Sequence, residues 1–182
     1  YACCRYNHFA LDALTAMRRA HPFAADEVAG VRVTTIPFGL RMADAAPASM
    51  LAAKFSVPHA VAASLVLGHA GLDAFGDAAL ADPRIRDLAR RVEILADPDM
   101  GPRRTDYPTA RVRVALYDGR ALEETVTIVR GDALNPAPPE DVVAKFLALT
   151  EPVLGPARAK RAVDTVNRLE TPDNVRDLAG LC

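Results

Sequence analysis

Arg111-Val112-Arg113-Val114-Ala115-Leu116-Tyr117, then Asp118-Gly119, then Thr125-Val126-Thr127-Ile128-Val129, is the stretch that decides the fold class. In the first run apolar residues alternate with arginines and alanine, the period of two that sends successive side chains to opposite faces of a strand. The second run alternates in the same way. Asp-Gly between them is a hairpin signal, because glycine accepts the positive φ that a tight reversal needs. Clean alternation of this kind argues for an antiparallel sheet with one face covered and one wet.

Working outward, Val31, Val33 and Thr35 alternate with Arg32, Thr34 and Ile36, and Val92 to Leu95 adds a short strand. Helical patterns surround these runs. His8 to Ala20 carries an apolar stripe of Phe9, Leu11, Leu14 and Met17, closed by Arg18 and Arg19 and stopped at His21-Pro22. Gly39 to Pro47 reads as a loop and Ala48 to Phe55 as a short helix. Ser56-Val57-Pro58 caps the next helix, which is apolar nearly all round, ends at Gly68 and is expected to be buried. Pro83 opens another, with Ile85, Leu88 and Ala89 inward and Arg84, Arg86, Arg90 and Arg91 outward as a solvated face. From Pro138 the pattern is helical, with further short helices at Ala157–Leu169 and Asp173–Leu178. The fold class is therefore α+β: about four strands, mainly antiparallel, flanked by helices over residues 1–137, with a helical tail over 138–182.

The bulk composition bounds the function. In 182 residues, 51% are hydrophobic and 25% charged, with a net charge of −1, the balance of a globular chain with no electrostatic pull toward nucleic acid or an anionic membrane. No apolar run approaches the roughly 20 residues that cross a bilayer. Three cysteines, Cys3, Cys4 and Cys182, make no disulfide framework and point to a reducing, cytoplasmic compartment. No cysteine or histidine spacing suits a metal. The chain opens on Tyr1 in a dense polar cluster, as a piece of a longer polypeptide would.

That cluster, Cys3-Cys4-Arg5-Tyr6-Asn7-His8, followed by Asp12, gathers the most reactive side chains. The i, i+4 spacing puts His8 and Asp12 on one helix face, where a carboxylate could orient the imidazole and raise its basicity. Arg5, at the helix start, favours a bound carboxylate. By composition alone, a lone histidine near a helix start is more often a packing or capping residue than a catalyst. Lys54, beside Phe55-Ser56, is a weaker candidate for binding the same anion. His59 reads as packing, and His21 and His69 as exposed.

The ordered motifs sharpen this. Tyr1-Ala2-Cys3-Cys4-Arg5-Tyr6-Asn7-His8-Phe9-Ala10-Leu11-Asp12-Ala13 resembles the segment that begins the second half of MmgE/PrpD proteins. Lys54-Phe55-Ser56-Val57-Pro58, Asp118-Gly119, Gly131-Asp132-Ala133-Leu134-Asn135-Pro136 and Lys145-Phe146 follow in the family's order across nearly the whole chain. The resemblance implies an α+β lid that closes on a large amino-terminal helical domain, with the tail helices returning to that domain and the active site between the two. It implies His8 as the active-site histidine and cofactor-free, metal-free acid–base chemistry on a small di- or tricarboxylate in a homodimeric enzyme. Dehydration of an acid such as 2-methylcitrate is the first expectation. Epimerisation or isomerisation and decarboxylation by the same family are alternatives, and a non-catalytic lid or oligomerisation module stays open beside them.

Overall fold

The computed structural model describes residues 1–100, 110–170 and 178–181. They form two compact units, Tyr1–Asn135 and Pro136–Cys182.

The first unit is built on a four-stranded sheet among the described residues, in the order β2-β1-β3-β4. Its strands are β1 (Val28–Thr35), β2 (Val92–Ala96), β3 (Ala110–Leu116) and β4 (Ala121–Val126). β1 and β3 run antiparallel, with Val31 opposite Val114 and Val33 opposite Val112. All four valines are buried, and each contributes on the order of 1.5–3 kcal/mol relative to an exposed position. On the other face of the same strands Arg32 stands opposite Arg113. The alternation read from Arg111 to Tyr117 therefore places its residues as expected.

The sheet is mixed rather than wholly antiparallel, because β2 runs parallel to β1. A parallel neighbour needs a long crossover, and here it is helical: α2 (Met50–Lys54), α3 (Val57–Leu67), α4 (Asp77–Ala81) and α5 (Pro83–Ala89) lie between the two strands. With α1 (Arg5–Ala20), they supply the layer that covers the apolar face. α1 lies against β3 and β4, and α3 against α1, α5 and β2. Leu11, Leu14, Val61, Phe75, Ile85 and Leu88 form the centre of this core. α3 follows the expectation for an all-round apolar helix: Ser56 Oγ accepts from His59 N at 2.9 Å, Pro58 sits in the first turn, and Gly68 ends the helix at φ +81°. His59 packs as expected, buried, with Nε2 2.8 Å from the Ala74 carbonyl and its ring 5.8 Å from that of Phe75.

Several local expectations are corrected. α1 begins at Arg5, not His8, so His8 lies in its first turn. The last strand is Ala121–Val126 rather than 125–129. The reversal at Asp118-Gly119 is immediate: Gly119 has φ +91°, and Leu116 N donates to Arg120 O at 2.9 Å. That closure places Ala121 opposite Ala115, and pairing ends at Val126 opposite Ala110. Part of the expected 39–47 loop belongs to a 3-10 turn over Pro37–Met42. Arg91 is not a solvated arginine, since its guanidinium donates to the Val28 carbonyl and lies 3.2 Å from the Tyr117 hydroxyl.

The second unit contains α6 (Pro139–Leu154) and α7 (Pro156–Val166), which pack on each other across Gly155 at φ +77°. Ala159 and Ala162 are buried, while Val142 and Val153 are exposed. The expected helix at Asp173–Leu178 lies outside the described residues except for Leu178. Among the described residues no helix is long and apolar enough to cross a membrane.

Candidate active site

The start of α1 is held by backbone. Ala2 N donates to Ala70 O at 3.1 Å and Cys4 N to Lys54 O at 2.9 Å, which ties residue 2 to the segment just beyond α3 and residue 4 to the end of α2. Cys4 occupies the cap position with no side-chain hydrogen bond, and the first turn carries no acidic residue. The positive end of the helix dipole therefore stays uncompensated by any carboxylate of that turn.

Asn7 locks this arrangement from below. It is wholly buried, and its Nδ2 donates to Lys54 O at 3.1 Å and reaches Ser56 O at 3.5 Å. Two carbonyls facing one amide fix which end carries the hydrogens. The opposite atom, Oδ1, is buried without a hydrogen-bond partner among the described residues. Lys54 thus reaches the start of α1 through its backbone, while its half-buried side chain makes no ion pair among the described residues.

His8 is half-buried one turn into α1. Its Nε2 lies 3.2 Å from the Cys3 carbonyl, and the Tyr1 ring meets it edge-on at 5.1 Å and 73°. A carbonyl only accepts, so this contact assigns the proton to Nε2 and leaves Nδ1 with a free lone pair. Burial holds the imidazole below its ordinary pKa, with Arg5 acting in the same direction; the Cys3 carbonyl and Asp12 act against them. At neutral pH the ring is a neutral base.

Asp12 shares the face of His8, but its oxygens are directed elsewhere. Oδ1 accepts from the Tyr1 hydroxyl at 2.7 Å and Oδ2 from Arg130 N at 2.8 Å. Its influence on the imidazole is electrostatic, and the tyrosine it holds packs edge-on against His8. Arg5 pairs through Nη2 with Asp132, a buried carboxylate of the turn after β4, while half of the arginine side chain stays exposed. Around these groups Tyr6 and Phe38 stack at 5.0 Å, the Arg41 guanidinium sits 5.3 Å from the Phe38 ring centre, and Phe55 is exposed beside Lys54.

Arg5, His8 and Asp12 are thus gathered on one helix, with Lys54 attached to its start by backbone. Reading the sequence passed over three participants. Tyr1 and Asn7 stood in the opening segment without a role, and Asp132 stood without one in the motif Gly131 to Pro136, which folds as the turn after β4. Only the acidic residue at the second position of that turn offered a signal. Cys3 and Cys4 form no disulfide among the described residues. His21 is exposed, and His69 is exposed beside Asp73 at 3.6 Å. Among the described residues no group of three or more His, Cys, Asp or Glu is placed to hold a metal ion.

A family model described as MmgE/PrpD C-terminal domain matches residues 1–171. Two curated relatives, both cis-aconitate decarboxylases of Aspergillus terreus (one from strain NIH 2624 / FGSC A1156), are 26% and 25% identical to this chain. Each match covers 100% of the chain but 39% of the relative, so the chain spans about two-fifths of the length of these relatives. With its α+β sheet, its motifs in order and a family match over nearly every residue, the chain belongs to the MmgE/PrpD family.

Proposed function

We propose that this chain supplies the base of a cofactor-free lyase acting on a small di- or tricarboxylate, and that His8 is that base. The observation that carries the reading is the imidazole itself: half-buried, neutral, protonated at Nε2 by its contact with Cys3, with Nδ1 left to accept a proton. Arg5, and Lys54, which makes no ion pair among the described residues, supply positive charge for the substrate's carboxylates. In the proposed step Nδ1 removes a proton from the carbon beside a carboxylate. The electron pair left on carbon forms the double bond as hydroxide leaves, protonated to water. Positive charge near the carboxylate favours the transition state, in which negative charge spreads onto it.

Dehydration of an acid such as 2-methylcitrate is the first assignment. Decarboxylation is the second, favoured by the names of the two relatives. There the carbon–carboxylate bond breaks with loss of carbon dioxide, and the carbanion takes up a proton. The remaining acid–base groups come, in this reading, from an amino-terminal helical segment that completes the site. The exposed Tyr6, Phe38 and Phe55 around the site support such a cover. The same reading includes a homodimer and a cytoplasmic location, the latter supported by the odd set of three cysteines.

The test is proton NMR in deuterium oxide on the complete protein with 2-methylcitrate, citrate and cis-aconitate in turn. At least one acid is expected to lose water or carbon dioxide, or to exchange the hydrogen beside a carboxylate for deuterium. An intact, folded protein that leaves all three unchanged and unexchanged contradicts the reading.

A further inference from the structure

The turn that follows β4 grips α1 on both sides of His8. Arg130 N donates to Asp12 Oδ2 at 2.8 Å, four residues beyond the histidine, and Asp132 takes Arg5, three residues before it. Residues at i−3 and i+4 from His8 share its face, so the clamp and the candidate base sit together. The turn is itself stiff. Gly131, at φ +85°, donates from its N–H to Asn135 O at 2.8 Å, Asp132 N donates to Val129 O at 3.1 Å, and Asn135 N to Asp132 O at 3.0 Å.

Asp132 is buried, with side-chain exposure of 5% against 50% for Arg5. Its Oδ1 accepts from Leu134 N at 3.1 Å, so the carboxylate is oriented by its own turn, and Oδ2 is the oxygen given to Arg5. A buried carboxylate is strongly destabilising without a cation, so the pair is not an incidental surface contact. A guanidinium is planar and carries five donors in fixed directions. Only Nη2 is engaged; Nε and Nη1 make no hydrogen bond to the described residues. Holding one edge of the plane therefore sets the direction of the other donors.

We propose that Asp132 is a positioning residue: it holds Arg5 so that the free guanidinium donors meet one substrate carboxylate while His8 works on the adjacent carbon. The inference rests on the acid–base reading above and names the group that orients its carboxylate-binding arginine. Asp132 does not touch the substrate. It acts through Arg5, and its loss falls on substrate binding more than on the chemical step.

The experiment compares Asp132→Asn, Arg5→Ala and their combination in the complete protein, with thermal midpoints as a control. Substrate kinetics are measured alongside the affinity for tricarballylate, a tricarboxylate without a hydroxyl leaving group. Asp132→Asn is expected to raise KM and to weaken tricarballylate binding about tenfold, with kcat within about threefold, as for loss of an oriented charge-assisted contact. The double variant is expected to bind no worse than Arg5→Ala alone, because both changes remove one interaction. A lower thermal midpoint with unchanged KM and unchanged tricarballylate affinity would assign Asp132 a purely structural role and overturn the proposal. If Asp132→Asn does not fold, Arg5→Lys replaces it. Lysine keeps the pair with Asp132 but lacks the planar donors, so KM is again expected to rise about tenfold, and an unchanged KM overturns the proposal. Because tricarballylate binding needs no turnover, the two readings fail separately. Weakened binding in Asp132→Asn together with normal turnover in His8→Ala upholds the positioning role and sinks the acid–base reading; the reverse pattern sinks the positioning role alone.

Discussion

Replacing His8 by alanine in the complete protein is expected to lower turnover by about a hundredfold or more, the usual loss when a general base is removed. The fold gives little reason for that loss to come from unfolding. The imidazole is only half-buried, and its one hydrogen bond among the described residues goes to the carbonyl of Cys3, two residues before α1 begins. The helix beneath is secured independently by Leu11, Leu14 and the Asn7 amide. The thermal midpoint is therefore expected to stay within a few degrees of the parent, in keeping with a change of about 1 kcal/mol or less. Steady-state kinetics beside a thermal melt checks both halves. Near-normal turnover with the fold intact removes His8 from the mechanism.

The largest effect on stability is expected from Asn7→Asp. The substitution exchanges one NH2 for one oxygen and leaves the packing volume almost unchanged. Yet it turns the donor that meets Lys54 O and Ser56 O into an acceptor, in a residue with no exposure. Two carbonyls then face a buried carboxylate, a change of about 3 kcal/mol or more at neutral pH. That is a large part of the roughly 5–15 kcal/mol that holds a domain together. The sign with pH follows from which form the site tolerates. Burial and facing carbonyls disfavour the charged carboxylate, so its folded pKa rises above the unfolded value near 3.9. The unfolded state then releases its proton more readily, and the loss grows as pH rises above about 4. Urea denaturation of variant and parent between pH 4 and 7 should show a gap that widens with pH. A small gap, independent of pH, contradicts the account of Asn7 as the buried lock of the site.

How far the sequence carries can be judged residue by residue. β3 was legible because its neighbours on both sides put one face inward, so valine and arginine alternate without interruption. β4 was not, because Glu123 and Glu124 stand side by side on a strand with a single paired neighbour, and an edge strand keeps charge on both faces. The helix after Ser56 announced its ends through a capping hydroxyl, an early proline and a glycine. α1 did not, since Cys4 at its cap forms no side-chain hydrogen bond. The parallel pairing of β1 and β2 was hidden because a short apolar run carries no direction. In the site, periodicity was enough to bring His8 and Asp12 to one face, with Arg5 just upstream at the helix start. It could not show that Asp12 would spend its oxygens on Tyr1 and Arg130, nor that Asp132, 127 residues from Arg5, would hold the guanidinium. Contacts of that span are made by the folded sheet and have no local signature.

The central claim is that His8 acts as a neutral base, and its most direct test is the pH dependence of kcat/KM in the complete protein. The profile is taken from pH 5 to 9 and corrected for the separately measured ionisation of the substrate, so that it reports groups of the free enzyme. With the imidazole held below its ordinary value of 6.5, the rate is expected to be full at neutral pH and to fall on the acid side, with the apparent pKa below 6.5. In His8→Ala the residual rate is expected to lack that limb. A rate that climbs as pH drops through this range, or an acid limb unchanged in His8→Ala, contradicts the assignment of His8 as the base.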